Sequence, residues 1–142
     1  LNDPAIIPLK VTSFIPGNKP VYFMQRYLDS GNPDMCGVYN DLYVVKNGKI
    51  EELEAIDRKS GSKFKVSVGN GMRTAFTMVD SEKGKELLYV HCLVSKNYIK
   101  TTYYRYYYED DKLFVEINAD KDIWDSEMMK FPGINKFRKF KF

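Results

Sequence analysis

The chain has 142 residues, of which 44% are hydrophobic and 29% charged, with a net charge of +3. That length fits one domain, which buries roughly two-thirds of its unfolded surface and needs no metal or disulfide lattice to fold. Lys and Arg are spread along the chain except at the very end, which argues against the concentrated basic face that nucleic-acid binding uses, and no apolar run reaches the ~18 residues of a membrane span.

In chain order, residues 1–20 hold Pro4, Pro8, Pro16 and Pro20 and are expected to form a Pro-rich, irregular N-terminal arm. From Val21 the pattern becomes strand and turn in alternation. The 11 Tyr and 9 Phe favour pleated, half-buried surfaces. Val21–Leu28 ends at Asp29-Ser30-Gly31-Asn32-Pro33-Asp34, a loop signal. Gly37–Val45 ends at Asn47-Gly48, a strong hairpin signal. Lys49–Asp57 follows. Its Ile50, Leu53 and Ile56 at three-residue spacing fit an amphipathic helix about as well as a strand, and the preceding Asn-Gly favours strand. Ser62–Val68 alternates, with Phe64, Val66 and Val68 on one face. Met72–Val79, Lys85–Val94, Tyr98–Tyr108 and Lys112–Ile117 complete eight candidate strands joined by short turns, and short connections force antiparallel neighbours.

The expected fold is therefore mostly β: residues 21–142 form a single domain built on an eight-stranded antiparallel up-and-down barrel. One C-terminal helix is expected over about 120–131, capped by Asp120 or Asp122, with Ile123, Trp124, Met128 and Phe131 on one side and Pro132-Gly133 ending it. The tail Lys136–Phe142 interleaves Phe with basic residues and reads as a final strand.

Eight short strands, one helix and a last extended piece resemble the order of a lipocalin, within the calycin superfamily. The aromatic first strand Val21-Tyr22-Phe23-Met24-Gln25-Arg26-Tyr27, running through a polar loop to Cys36, is similar to divergent arthropod salivary lipocalins. Tyr89-Val90-His91-Cys92 looks like their later Cys-bearing strand. The family's usual Gly-x-Trp on the first strand is replaced here. The resemblance implies a secreted barrel that holds a small ligand or captures a protein. A start at Leu1 rather than Met agrees with a removed signal peptide. Cys36 and Cys92 then suit either one disulfide or two buried thiols.

Catalysis needs a nucleophile–base pair, a carboxylate pair or a metal site. His91 is the only imidazole. It cannot form a dyad with adjacent Cys92, because neighbouring strand residues point to opposite faces. No catalytic residue, metal site or cofactor is assigned. An enzymatic reading on an α+β sheet requires residues 49–58 to be helical and His91 to face a pocket beside a carboxylate. The preferred reading is a non-enzymatic, monomeric protein that binds or transports a small hydrophobic or amphipathic ligand such as a lipid. Its expected ligand contacts are Phe23, Tyr27, Phe76, Met78, Tyr89, His91, Tyr104 and Arg105. Leu88, Val90, Cys92 and Val94 would then face the helix side. The alternative is a filled barrel that captures a partner protein through tyrosine hot spots.

Overall fold

The computed structural model describes residues 5–8, 21–28, 37–71, 74–82, 84–94 and 98–123. They form eleven strands: β1 (Ala5–Pro8), β2 (Val21–Leu28), β3 (Gly37–Lys46), β4 (Lys49–Glu52), β5 (Glu54–Asp57), β6 (Lys63–Lys65), β7 (Ser67–Gly71), β8 (Thr74–Ser81), β9 (Gly84–Val94), β10 (Tyr98–Glu109) and β11 (Lys112–Ile123). Two-residue turns set much of the pairing. Asn47 (φ 51°) and Gly48 (φ 76°) both take the left-handed conformation, as do Asp110 (φ 53°) and Asp111 (φ 60°). Such turns match the twist of the strands they join, and they fix the registers Lys46 to Lys49 and Glu109 to Lys112.

The mostly β expectation holds, and the closed eight-stranded barrel does not: the strands form two sheets that do not close on each other. The first sheet runs β1-β2-β3-β4, with β7 beside β4 along the same edge of β3. The second runs β6-β5-β11-β10-β9-β8. Two sheet changes account for the difference. At Leu53 the chain leaves the first sheet as β5, and at Val66 it returns from the second as β7. Three buried backbone bonds close a cycle there: Val66 N–H to Leu53 O (2.8 Å), Leu53 N–H to Leu42 O (2.8 Å) and Leu42 N–H to Val66 O (3.0 Å). Every amide that a sheet change would orphan is thereby satisfied. β5 then pairs in parallel with β11, Ile56 opposite Phe114, so the strands are not in sequence order.

Residues 49–58 thus hold two strands, Lys49–Glu52 and Glu54–Asp57, and no helix. Leu53 and Ala55 turn into the core, in a period of two, while Ile50 stays exposed. Within the expected Pro-rich arm, Ala5–Pro8 is a strand with Ile7 opposite Phe23, and the rest of the arm lies outside the described residues. This strand occupies the sheet margin, and Pro8 stands at its last position, where a missing amide costs least. The helix expected over 120–131 loses its start to β11, whose Asp120 and Ile123 pair with Thr101 and Tyr98. The rest of that span, with the 136–142 tail, lies outside the described residues.

The inner faces of the sheets pack together. Val21, Phe23, Leu42 and Val44 meet Leu87, Tyr89, Tyr106 and Val115 in one buried cluster. Truncating a buried leucine such as Leu42 typically costs about 2–5 kcal/mol. The opposite face of the second sheet carries its own buried group, Leu88, Val90 and Tyr103. Cys92 shares that face. It is buried, with its Sγ 3.2 Å from Thr101 Oγ1; Cys36, the other half of the possible disulfide, lies outside the described residues.

Candidate functional site

Alternation along β2, β8, β9 and β10 brings five of the eight expected contacts into the space between the sheets. Phe23 and Tyr89 are buried, and Phe76, Met78 and Tyr104 pack against the same cluster. Phe23 and Phe76 have ring centroids 6.0 Å apart. Tyr89 and Tyr104 stack at 5.3 Å, and Tyr104 and Tyr106 at 6.4 Å. This row of phenols is desolvated. Burial raises Tyr89 and Tyr106 well above the usual tyrosine pKa, raises Tyr104 too, and pushes Tyr108 up to about 12. At neutral pH every one of them is an uncharged hydroxyl, a hydrogen-bond donor inside an apolar space.

The other three expected contacts fall elsewhere. His91 is half-buried and follows the parity of Leu87 and Tyr89, opposite Thr74 and Thr102 at the edge of the phenol row. Tyr27 is 48% exposed. Arg105 is on the opposite face of the second sheet. Its Nη2 donates to Glu116 Oε2 (2.9 Å), and its guanidinium lies 5.0 Å from the centre of the Tyr107 ring. Tyr107 donates its hydroxyl to Glu116 Oε1 (2.9 Å). Nearby, Arg58 covers the Phe114 ring at 4.2 Å and pairs with Glu109 at 3.2 Å. A shallow concavity of about 480 Å³ lies here, lined by these charges with Ser81, Glu82 and Glu86. Both guanidiniums already hold carboxylates, so this region ties strands together.

The larger opening is at the hairpin end of the sandwich. A cleft of about 660 Å³ enters between the sheets there. Its existence follows from the sheet change at Leu53. β4 belongs to the first sheet, while β5 meets β11 only from Phe114 onward, so the sheets gape between β4 and Lys112–Leu113. Val44, Leu53, Ile56 and Leu113 make apolar walls, with Tyr108 beside them. Lys46, Lys63 and Lys112 line the cleft together with Glu51, Glu54 and Asp111. Glu52 is held by Lys65 at 2.8 Å, and that carboxylate raises the lysine pKa.

No family model matches the chain, and neither a curated protein nor a solved structure matches it. The chemistry of the cleft therefore rests on its own residues. Among the described residues no group of three His, Cys, Asp or Glu side chains is placed to hold a metal. Nor is any described helix long and apolar enough to cross a membrane. The α+β enzymatic reading loses its structural premise, since residues 49–58 are strands.

The sequence did not point to Val44, Leu53, Leu113 or Tyr108 as a group. The one signal was the broken alternation around Leu53, which read as an ambiguity between helix and strand and marks the point where the sheets part.

Proposed function

We propose that this chain is a non-enzymatic binding protein that takes a small apolar or amphipathic ligand between its sheets. The observation that carries the reading is the cleft at the hairpin end: about 660 Å³, lined by Val44, Leu53, Ile56 and Leu113 together with charged side chains. Small-molecule sites are typically concave and of this size, and they combine apolar walls with polar groups that fix orientation. An apolar tail would enter past Val44, Leu53 and Leu113 towards the phenol row, and a polar head would remain at the lysine and carboxylate rim. The Tyr108 hydroxyl, neutral at physiological pH, would be the polar contact nearest the mouth. The likeness to lipocalins read from the sequence adds to this proposal the expectation of a secreted, monomeric carrier.

The test is titration with the neutral dye N-phenyl-1-naphthylamine, with native mass spectrometry for stoichiometry. Saturable binding of one dye per chain is expected. Val45 lines the mouth and is 43% exposed, so Val45→Trp narrows the entrance without disturbing the core. A loss of about tenfold in affinity, about 1.4 kcal/mol, is expected. If the folded variant binds the dye as the parent does, the cleft is not the site.

A further inference from the structure

One wall of the cleft is the tip of a hairpin. The tip of the β3–β4 hairpin is exposed at every position from Val45 to Glu52, although its neighbours Val44 and Leu53 are both buried. β4 pairs with β3 and with no other described strand. The base of the tip is fixed by the backbone cycle through Leu42, Leu53 and Val66. Beyond that base, few contacts with the described residues hold the hairpin in place. Lys46 and Lys49 face each other across the ladder, and like charges in that position repel. Val45 and Ile50 are also opposite each other, and Ile50 is 60% exposed, so the apolar pair buries little. A side-chain link from this tip to the second sheet is the Lys65–Glu52 ion pair, whose partners are 71% and 43% exposed. Exposed pairs of this kind break easily and weaken with salt. Four residues of the tip, Val45, Lys46, Glu51 and Glu52, line the cleft.

We propose that Val45–Glu52 is a lid over the cleft, hinged at Leu53 and latched by Lys65 and Glu52, and that release of the latch governs ligand entry. The inference rests on the reading of the cleft as a binding site. Opening would part the lid from β6 and leave the core contacts of Val44 and Leu53 in place. The fraction of open molecules then scales the rate of entry.

Two readouts on the full chain test it. The variant is Lys65→Glu, which sets a new carboxylate beside Glu52. Hydrogen exchange at the tip amides 49–52 is expected to rise about fivefold, the range open to an exposed ion pair turned repulsive, with the Leu42 amide unchanged. Stopped-flow association of N-phenyl-1-naphthylamine, whose neutrality removes direct charge effects, is expected to quicken by a similar factor. High salt should quicken entry in the parent and slow it in the variant, where it screens a repulsion. Tip exchange unmoved by Lys65→Glu overturns the lid. So does faster tip exchange with an unchanged association rate. Dye binding that ignores Val45→Trp removes the site and the gating with it, while the exchange rates still report whether the tip is latched.

Discussion

Replacing Gly69 with alanine probes how closely β7 approaches its neighbours. A methyl group there would lie 2.9 Å from both Cδ1 and Cε1 of Tyr39 and 3.0 Å from Thr74 Oγ1. Carbon–carbon contacts are most favourable at about 3.5–4.0 Å, so the Tyr39 ring must retreat by about half an ångström or more. It has little freedom to do so. Tyr39 stands directly opposite Gly69 in the β3–β7 ladder, and the Arg26 guanidinium lies 5.8 Å from its ring centre. Thr74 is buried, and its hydroxyl already lacks a hydrogen-bond partner among the described residues. Overpacking of this kind costs about 1–3 kcal/mol. Gly69 does not use a positive φ, so alanine recovers about 0.4–1 kcal/mol by restricting the unfolded chain. The net expectation is a loss of about 1–2 kcal/mol, or about 3–8 °C in Tm for a domain of this size. Urea denaturation of Gly69→Ala, Tyr39→Ala and the double variant supplies the measurement. If the Tyr39 ring is the obstacle, removing it should cut the penalty of Gly69→Ala by about half. A Gly69→Ala protein as stable as the parent would refute the close approach.

Three further outcomes are expected. Tyr89 and Tyr106 have pKa values raised by burial, so folding favours their protonated forms. Their stabilisation is complete below the unfolded tyrosine value near pH 10 and is lost above it, by at most about 1.4 kcal/mol per pH unit for each. Absorbance and circular dichroism followed together should show their ionisation coinciding with unfolding, and ionisation at pH 10 in a native fold would contradict the packing. Cys92, a buried thiol, should resist iodoacetamide in the native protein and react once the chain is denatured without reductant; a need for reductant would indicate a disulfide. Glu116→Ala removes the acceptor shared by Arg105 and Tyr107 and should cost about 1–3 kcal/mol in chemical denaturation. Dye affinity should stay unchanged, because that acceptor faces away from the cleft; a large loss of binding would place Arg105 in the site after all.

Much of the placement of the strands along the chain was legible because its signals are local. Alternation delimits Val21–Leu28, and Asn47-Gly48 and Asp110-Asp111 sit at the two tight hairpins. The sheet changes were not legible. Leu53 and Val66 look like any apolar strand residue, and only partners distant in the chain make them corners. The parallel pairing of Ile56 with Phe114 is equally non-local. β1 was hidden by the prolines on either side of Ala5-Ile6-Ile7, and the end of β11 by Asp120 and Asp122, which read as helix caps. In the candidate site, the expected contacts Phe76, Met78 and Tyr104 pack against the inner cluster that holds Tyr106. Arg105 was included for the chemistry of its guanidinium, although a residue next to Tyr104 on a strand must face the other way.

The backbone cycle at Leu42, Leu53 and Val66 also bears on how the chain folds. Because β4–β5 and β6–β7 each cross between the sheets, neither sheet has a complete margin until the other is in place. The two layers are interlocked and should appear and melt as one cooperative unit. Their assembly waits on pairings such as Ile56 with Phe114, which close a long loop, so folding should be slow, on the order of milliseconds to seconds. By the same logic, neither sheet should persist as an isolated fragment, and a nick that frees the hairpin between the crossings should loosen both layers at once.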